Sequence, residues 1–228
     1  MSTAVVFVGG PHPATRGPSR PVSERPVPDR WLPPGASAPD LVVAVDSGLH
    51  LAVLSGWEVD RVVGDMDSVD PGVLAAAQRR GATVDRHPVD KDATDLELAL
   101  DGLLGTDIDS VVVIGSPGGR LDHLMGGILT LCAPRYAPLS LRAWLGPTLV
   151  VPVRQRERIE ARVGATVSLI AVHGPALGVR TEGLRWALTG ERLEPGSSRG
   201  LSNEMAAEAA EVSVDDGCVA VVLPEEEI

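Results

Sequence analysis

The chain has 228 residues, 44% of them apolar, and a formal charge of -11. An acidic chain without basic runs is a poor fit to nucleic acid, whose binding rests on neutralising phosphates, and no apolar run approaches the roughly 20 residues that span a bilayer. Two cysteines, Cys132 and Cys218, are too few for a disulfide framework, and MSTAVVFVGG lacks the basic start of a signal peptide, so a reduced, cytoplasmic chain is expected.

Ala4 to Val8 reads as a first strand ending at Gly9-Gly10. Pro11 to Pro39 is rich in Pro and Arg, lacks periodicity and reads as a long loop. Leu41 to Val45 is a second strand, ending at Asp46-Ser47-Gly48, and Leu49 to Ser55 a short helix. Arg61 to Val63 is a third strand, ending at Gly64-Asp65-Met66-Asp67-Ser68. Pro71 to Arg80 is helical, Thr83-Val84 begins another strand, Thr94 to Leu104 is a helix, Ser110 to Ile114 a strand, and Leu121 to Leu131 a helix. This alternation predicts a parallel α/β sheet, with ligands at the carboxyl ends of its strands.

The pattern changes after about residue 139. Leu139 to Ala143, Thr148 to Val153, Thr166 to Val172 and Gly217 to Leu223 are β-like runs separated by Gly, Pro and Ser. The expected architecture is therefore an N-terminal parallel-sheet α/β domain over residues 1–150, followed by a smaller β-sandwich over 151–228. Glu225-Glu226-Glu227 reads as a solvated tail.

Charge marks one part of this plan. Between Asp40 and Asp122 there are 16 acids, 14 of them Asp, against 6 bases, so this stretch holds almost the whole imbalance. The only lysine, Lys91, lies inside it between Asp90 and Asp92, while the other 19 basic residues are Arg.

Three constellations fall at the predicted strand ends. Asp65 and Asp67, at i and i+2, lie on one side of an extended segment and suit one hard cation such as Mg²⁺, although an Asp-rich turn accounts for them equally. Thr94 and Glu97 fit a capping box and Asp95 suits the helix dipole, which leaves Lys91 and Asp92 unexplained. A cation beside a helix N-terminus calls for an anion between them, and a phosphate supplies one. Gly118-Gly119-Arg120, before the helix opening at Leu121-Asp122-His123, allows close backbone approach to a phosphate that Arg120 can grip. An ordinary strand–helix turn also needs glycine. Asp46-Ser47-Gly48 reads as well as a helix N-cap.

No HExxH, Cys–His pairing, P-loop or GxSxG elbow occurs, and His123 reads as structural on its own. Trp186 fits either a core position or a plate for a flat, cationic ligand.

Carboxylates, one Lys, one Arg and a glycine-rich helix start suit phosphoryl or diphosphoryl transfer. In this order the motifs resemble the thiamine pyrophosphokinase family: Asp46-Ser47-Gly48, Gly64-Asp65-Met66-Asp67-Ser68, Lys91-Asp92-Ala93-Thr94-Asp95, Gly118-Gly119-Arg120-Leu121-Asp122-His123, Glu182-Gly183-Leu184-Arg185-Trp186 and Leu201-Ser202-Asn203-Glu204. The resemblance implies diphosphoryl transfer from ATP to the thiamine hydroxyl with release of AMP, in a homodimer whose subunits share the thiamine site. It implies that Asp65, Asp67 and Asp95 carry Mg²⁺, with Lys91 and Asp92 among the catalytic residues. It further implies that Asp46, Ser68, Thr94, Gly118, Gly119, Arg120, Asp122 and His123 meet the nucleotide, and that Trp186, Ser202 and Asn203 meet thiamine. The family often has Gly-Gly where this chain has Ser47-Gly48. A diphosphokinase for another heterocyclic alcohol such as hydroxymethylpterin, or a silent nucleotide-binding regulator, are the alternatives.

Overall fold

The computed structural model describes residues 2–9, 38–116 and 119–224, so the Pro-rich segment between 10 and 37, Gly118 and the acidic tail lie outside the described residues. The chain divides into two compact units: residues up to 127 together with 138–146, and residues 128–137 together with 147 onward.

The first unit is built on β1 (Ser2–Val8), β2 (Leu41–Val45), β3 (Arg61–Gly64), β4 (Thr83–Arg86), β5 (Ile108–Gly115) and β6 (Ser140–Leu145). Their order is β6-β5-β1-β2-β3-β4, and each neighbouring pair is parallel. The interior strands β1, β2 and β5 carry apolar runs buried on both faces, whereas the outermost strands of this unit, β4 (TVDR) and β6 (SLRAWL), are only partly buried. The chain walks outward from β1 to β4, then crosses back to the other side of β1 for β5. That reversal is a topological switch point, where the carboxyl ends of parallel strands leave a crevice for a ligand.

Register brings those ends level. Val8 pairs with Val45, and Val45 pairs with Val63. Gly9, Asp46 and the Gly64–Ser68 turn therefore emerge along one edge. The helices are α1 (Gly48–Leu54), α2 (Pro71–Arg79), α3 (Asp95–Asp101) and α4 (Leu121–Leu131). Asp70 caps α2 by accepting from the Gly72 and Val73 amides at 2.8 and 3.0 Å, with Pro71 in the first turn where a missing N–H costs nothing. Val5, Phe7, Val42, Ala44, Leu49, Ala52, Val62, Leu74, Val112 and Ile114 form one core between sheet and helices.

Two expectations need correcting. The run Leu139 to Ala143, read with the β-like segments of the second half, is strand β6, parallel to β5 from Ser110↔Ser140 to Gly115↔Leu145. The connection through α4 and a short 3₁₀ turn at Pro134–Tyr136 makes it a crossover strand. The helix expected over Thr94 to Leu104 is only Asp95–Asp101; beyond it the Leu103 and Leu104 amides donate three residues back, to Leu100 and Asp101, and the chain turns at left-handed Gly105 (φ 73°).

The second unit is antiparallel throughout. Its strands are β7 (Thr148–Val153), β8 (Arg156–Glu160), β9 (Thr166–Ala171), β10 (Ala176–Glu182), β11 (Thr189–Leu193), β12 (Asn203–Glu204), β13 (Ala209–Ser213) and β14 (Val219–Leu223). They form the runs β12-β9-β14-β7 and β11-β10-β13-β8. Alternating burial along β9 and β13 shows one face of each run turned inward. Among the described residues no helix is long and apolar enough to cross a membrane.

Two glycines separate packing from propensity. A Cβ on Gly48 would stand 2.2 Å from the Phe7 carbonyl oxygen, whereas one on Gly126, in α4, meets nothing within 4 Å. Gly48→Ala should therefore lower stability by about 1–3 kcal/mol, and Gly126→Ala should raise it by about 1 kcal/mol. Denaturant melts of the two variants check this; equal effects would contradict the close approach of α1 to β1.

Candidate active site

Asp46 follows β2 in the left-handed region (φ 44°), which is costly for a residue with a Cβ. Its backbone N–H donates to the Val63 carbonyl at 3.0 Å, and its Oδ1 accepts from the Met66 amide at 3.2 Å. Gly64 makes room for that carboxylate, since a Cβ there would stand 1.9 Å from Asp46 Oδ1. Met66 is also left-handed (φ 68°) and buries its side chain in the core. The turn is thus pinned from below, with Asp65 and Asp67 on either side of the anchor.

Asp65 Oδ1 accepts from the Asp67 amide at 2.9 Å. That backbone hydrogen bond, aided by Lys91, holds Asp65 below the usual carboxylate range, while the hydrogen bond and charge of Asp65 push Asp67 up. The two carboxyls thus differ in proton affinity although they belong to one turn. Asp46 is pushed up to about 7, chiefly by burial and then by the charge and hydrogen bond of Asp95, against the opposing Met66 amide. Lys91 Nζ lies 2.8 Å from Asp95 Oδ1, with both side chains mostly buried. Asp95 Oδ1 nevertheless receives no well-directed hydrogen bond, so the contact is an ion pair held off the ideal direction. Burial alone would pull Lys91 down, but Asp95, Asp65 and Asp46 together raise it.

Asp46, Asp65, Asp67, Lys91 and Asp95 are therefore one electrostatic group. Asp92 and Ser68 are exposed at its margin. The Thr94 hydroxyl accepts from the Glu97 amide at 3.2 Å, and Glu97 Oε2 accepts from the Thr94 amide at 3.0 Å, so the capping box is complete. Ser47 stands at the start of α1 without a side-chain cap; its hydroxyl instead fills the space a Cβ on Gly9 would need. Arg120 grips Asp122 in bidentate fashion, at 3.1 and 2.6 Å. That contact pulls Asp122 down to about 2. Gly119 is left-handed (φ 102°), and His123 is exposed.

In the second unit Trp186 is 51% exposed, which sets aside the reading of a core Trp. Asn203 is buried against its backbone, and the Ser202 amide donates to Ser168 Oγ at 3.1 Å. Sequence reasoning overlooked Met66 as the anchor of the acidic turn and the pairing of Arg185 with Glu204. An apolar residue between two Asp was the available signal for the first.

The donor chemistry suits a hard cation. Among the described residues no group of three or more His, Cys, Asp or Glu side chains is arranged to hold a metal. Mg²⁺ bound with a nucleotide needs only one or two carboxylates beside phosphates and waters, and the Asp65–Asp67 pair fits that requirement.

An α/β unit with a carboxylate cluster at its strand ends, followed by an antiparallel β unit with an exposed Trp, defines a two-part enzyme architecture. The family model described as the thiamin pyrophosphokinase catalytic domain matches residues 36–142, and that of the thiamin pyrophosphokinase vitamin B1 binding domain matches 151–219. The chain belongs to the thiamine pyrophosphokinase family. It is 26% identical over 190 residues to thiamine pyrophosphokinase 1 of Oryza sativa subsp. japonica, covering 79% of this chain and 71% of that one. It is 32% identical over 91 residues to the thiamine pyrophosphokinase of Bacillus subtilis, covering 40% and 42%. In fold it is similar to the crystal structure of thiamine pyrophosphokinase from Bacillus subtilis (TM-score 0.78, 21% identity, 99% and 100% covered) and to thiamin pyrophosphokinase from Candida albicans (TM-score 0.71, 15% identity, 98% and 89% covered). These matches support thiamine pyrophosphokinase as the function, and none favours a pterin diphosphokinase or a silent regulator.

The raised Asp46 carboxyl has a stability consequence. It binds its proton more tightly folded than unfolded, so its contribution is present below about pH 4 and is lost as pH rises through about 7. In metal- and nucleotide-free protein, the melting temperature of wild type should fall across that window more steeply than that of Asp46→Asn. Parallel slopes would show that Asp46 titrates normally.

Proposed function

We propose that this chain transfers the diphosphoryl group of ATP to the hydroxyl of thiamine, giving thiamine diphosphate and AMP, in the cytoplasm and as a homodimer. Residues 1–150 are the catalytic domain and 151–228 the thiamine-binding domain. The observation that carries the reading is the group of four aspartates and one mostly buried lysine at level strand ends.

Such transfer asks for positioning and charge neutralisation rather than covalent chemistry. Asp65 and Asp67 would hold Mg²⁺, which when bound would neutralise phosphate charge; Asp95, paired with Lys91, would join them only on leaving that ion pair. Lys91, the partner of Asp95, would bind phosphate oxygens as a compact point charge once that pair opens. Arg120 exchanges Asp122 for a phosphate at no loss of bidentate geometry, and Gly119, with Gly118, lets the backbone approach. Ser68, Thr94 and His123 line the nucleotide side. Asp46, half-buried with its carboxyl pushed up to about 7, accepts the hydroxyl proton in its carboxylate form, or the exposed Asp92 does. Trp186 stacks on thiamine, with Ser202 at its side and Asn203 bonded to the Trp186 backbone. Leu121, Met125 and Leu129, exposed at helical spacing along α4, are apolar surface of the kind a partner subunit covers.

Thiamine-dependent AMP formation with ATP and Mg²⁺ tests the reading, and AMP formation from hydroxymethylpterin alone would replace it. Asp67→Asn should lower kcat by at least about a hundredfold with an unchanged melt; wild-type turnover in that variant would remove Asp67 from the metal site. Trp186→Ala should raise KM for thiamine but not for ATP. If the subunits share the thiamine site, equal mixing of these two variants with subunit exchange should restore about a quarter of wild-type activity. No recovery on mixing would place each site within one chain.

A further inference from the structure

The exposed indole of Trp186 is held more firmly than an exposed side chain ordinarily is. Its segment pairs with β12 and the residues after it: the Arg185 amide donates to the Glu204 carbonyl at 2.9 Å, and the Ala206 amide to the Gly183 carbonyl at 2.8 Å. Gly183 is left-handed (φ 76°), and a Cβ there would stand 2.4 Å from the Ala209 carbonyl oxygen of β13, so the residue that opens this segment has no room for a side chain.

Asn203 completes this bracket from inside. It is only 4% exposed. Its Oδ1 accepts from the Trp186 amide at 3.1 Å and from the Glu204 amide at 2.8 Å. Its Nδ2 donates to the Trp186 carbonyl at 2.8 Å. A carboxamide offers two acceptor sites and two donor hydrogens, so three of the four are already engaged by backbone. On the indole itself, the Arg185 guanidinium lies 4.9 Å from the ring centroid and is tied to Glu204 Oε2 at 2.9 Å. The cation occupies one π-face and the ion pair keeps it there.

We propose that Asn203 and the Arg185–Glu204 pair are positioning residues that fix the Trp186 indole from behind, so that a flat heterocycle stacks on its opposite face alone and Asn203 does not itself touch substrate. This rests on the reading of Trp186 as the thiamine platform. An indole fixed before the ligand arrives spares the ordering cost of a mobile side chain on binding. Asp at position 203 is the sharpest probe: it keeps the acceptor for both amides but sets a carboxylate oxygen against the Trp186 carbonyl.

The test is a double-mutant cycle on steady-state kinetics with thiamine, ATP and Mg²⁺. Asn203→Asp and Arg185→Ala should each raise KM for thiamine, the former on the order of tenfold, leaving kcat and KM for ATP near wild type. In a Trp186→Ala background each should add less than about twofold, because the group they position is gone. If either substitution multiplies its full effect onto Trp186→Ala, that residue touches substrate directly and the proposal is overturned. Should Asn203→Asp fail to fold, the Arg185→Ala cycle decides alone. A wild-type protein inactive with thiamine would overturn the parent reading and this inference with it, whereas an active wild type with multiplicative effects overturns this inference only.

Discussion

The seat of the Asp46 carboxylate is the constraint on which the first unit's chemistry depends. The carboxylate fits only because Gly64 has no side chain. It is held by the Met66 amide, and Met66 in turn is fixed by burial in the core. Two residues accept left-handed backbone to achieve this, at a cost of order 1–3 kcal/mol each that the surrounding packing must offset. In return, the ends of β2 and β3 are locked together, and Asp65 and Asp67 are aimed at the space that Asp46, Asp95 and Lys91 share. Like charges so placed repel. The structure answers the repulsion by pushing the carboxyls of Asp46 and Asp67 up and by setting an ammonium beside Asp95. A divalent cation suits the same carboxylates.

Much of this was legible in the sequence, for identifiable reasons. Val5, Val43, Val62 and Val112 lie in strands buried on both faces, which read as short unbroken apolar runs. Part of the acid excess between Asp40 and Asp122, namely Asp46, Asp65, Asp67 and Asp95, pointed to one edge because parallel strands all end on the same side. Asp40 and Asp60 instead accept from the Thr3 and Val42 amides at the opposite ends of the strands. The box of Thr94 and Glu97 is purely local chemistry and formed as the residues suggest. What escaped depends on contacts distant in sequence. Strand β6 resembles any half-buried strand, and only its pairing with β5 assigns it to the parallel sheet. Strands β8 and β11 are rich in Arg and Glu because one edge of each is wet, so they lack a strand's usual apolar signature. Ser47 has the chemistry of a cap, but its hydroxyl is drawn to the gap above Gly9.

The same distinction separates the site residues. A spacing of two carboxylates is visible in sequence, whereas their unequal proton affinities arise from which one accepts the other's amide. Asn203 could be placed beside a thiamine platform by resemblance, but its three hydrogen bonds to backbone appear only once the 183–186 and 203–206 stretches are paired. Arg120 was readable as a phosphate grip; that it is already closed on Asp122 was not. Lys91 on Asp95 and Arg120 on Asp122 are thus both already paired. On the proposed function, binding is an exchange of partners for these two cations rather than the filling of an open charge.

The central claim is that the aspartate cluster receives the triphosphate only through a divalent cation. Calorimetric titration of ATP into the protein, once with excess Mg²⁺ and once with chelator, tests it most directly. The account predicts saturable binding with Mg²⁺, no measurable binding in chelator, and loss of the Mg²⁺-dependent binding in Asp67→Asn. Equally tight ATP binding with and without the cation would contradict it.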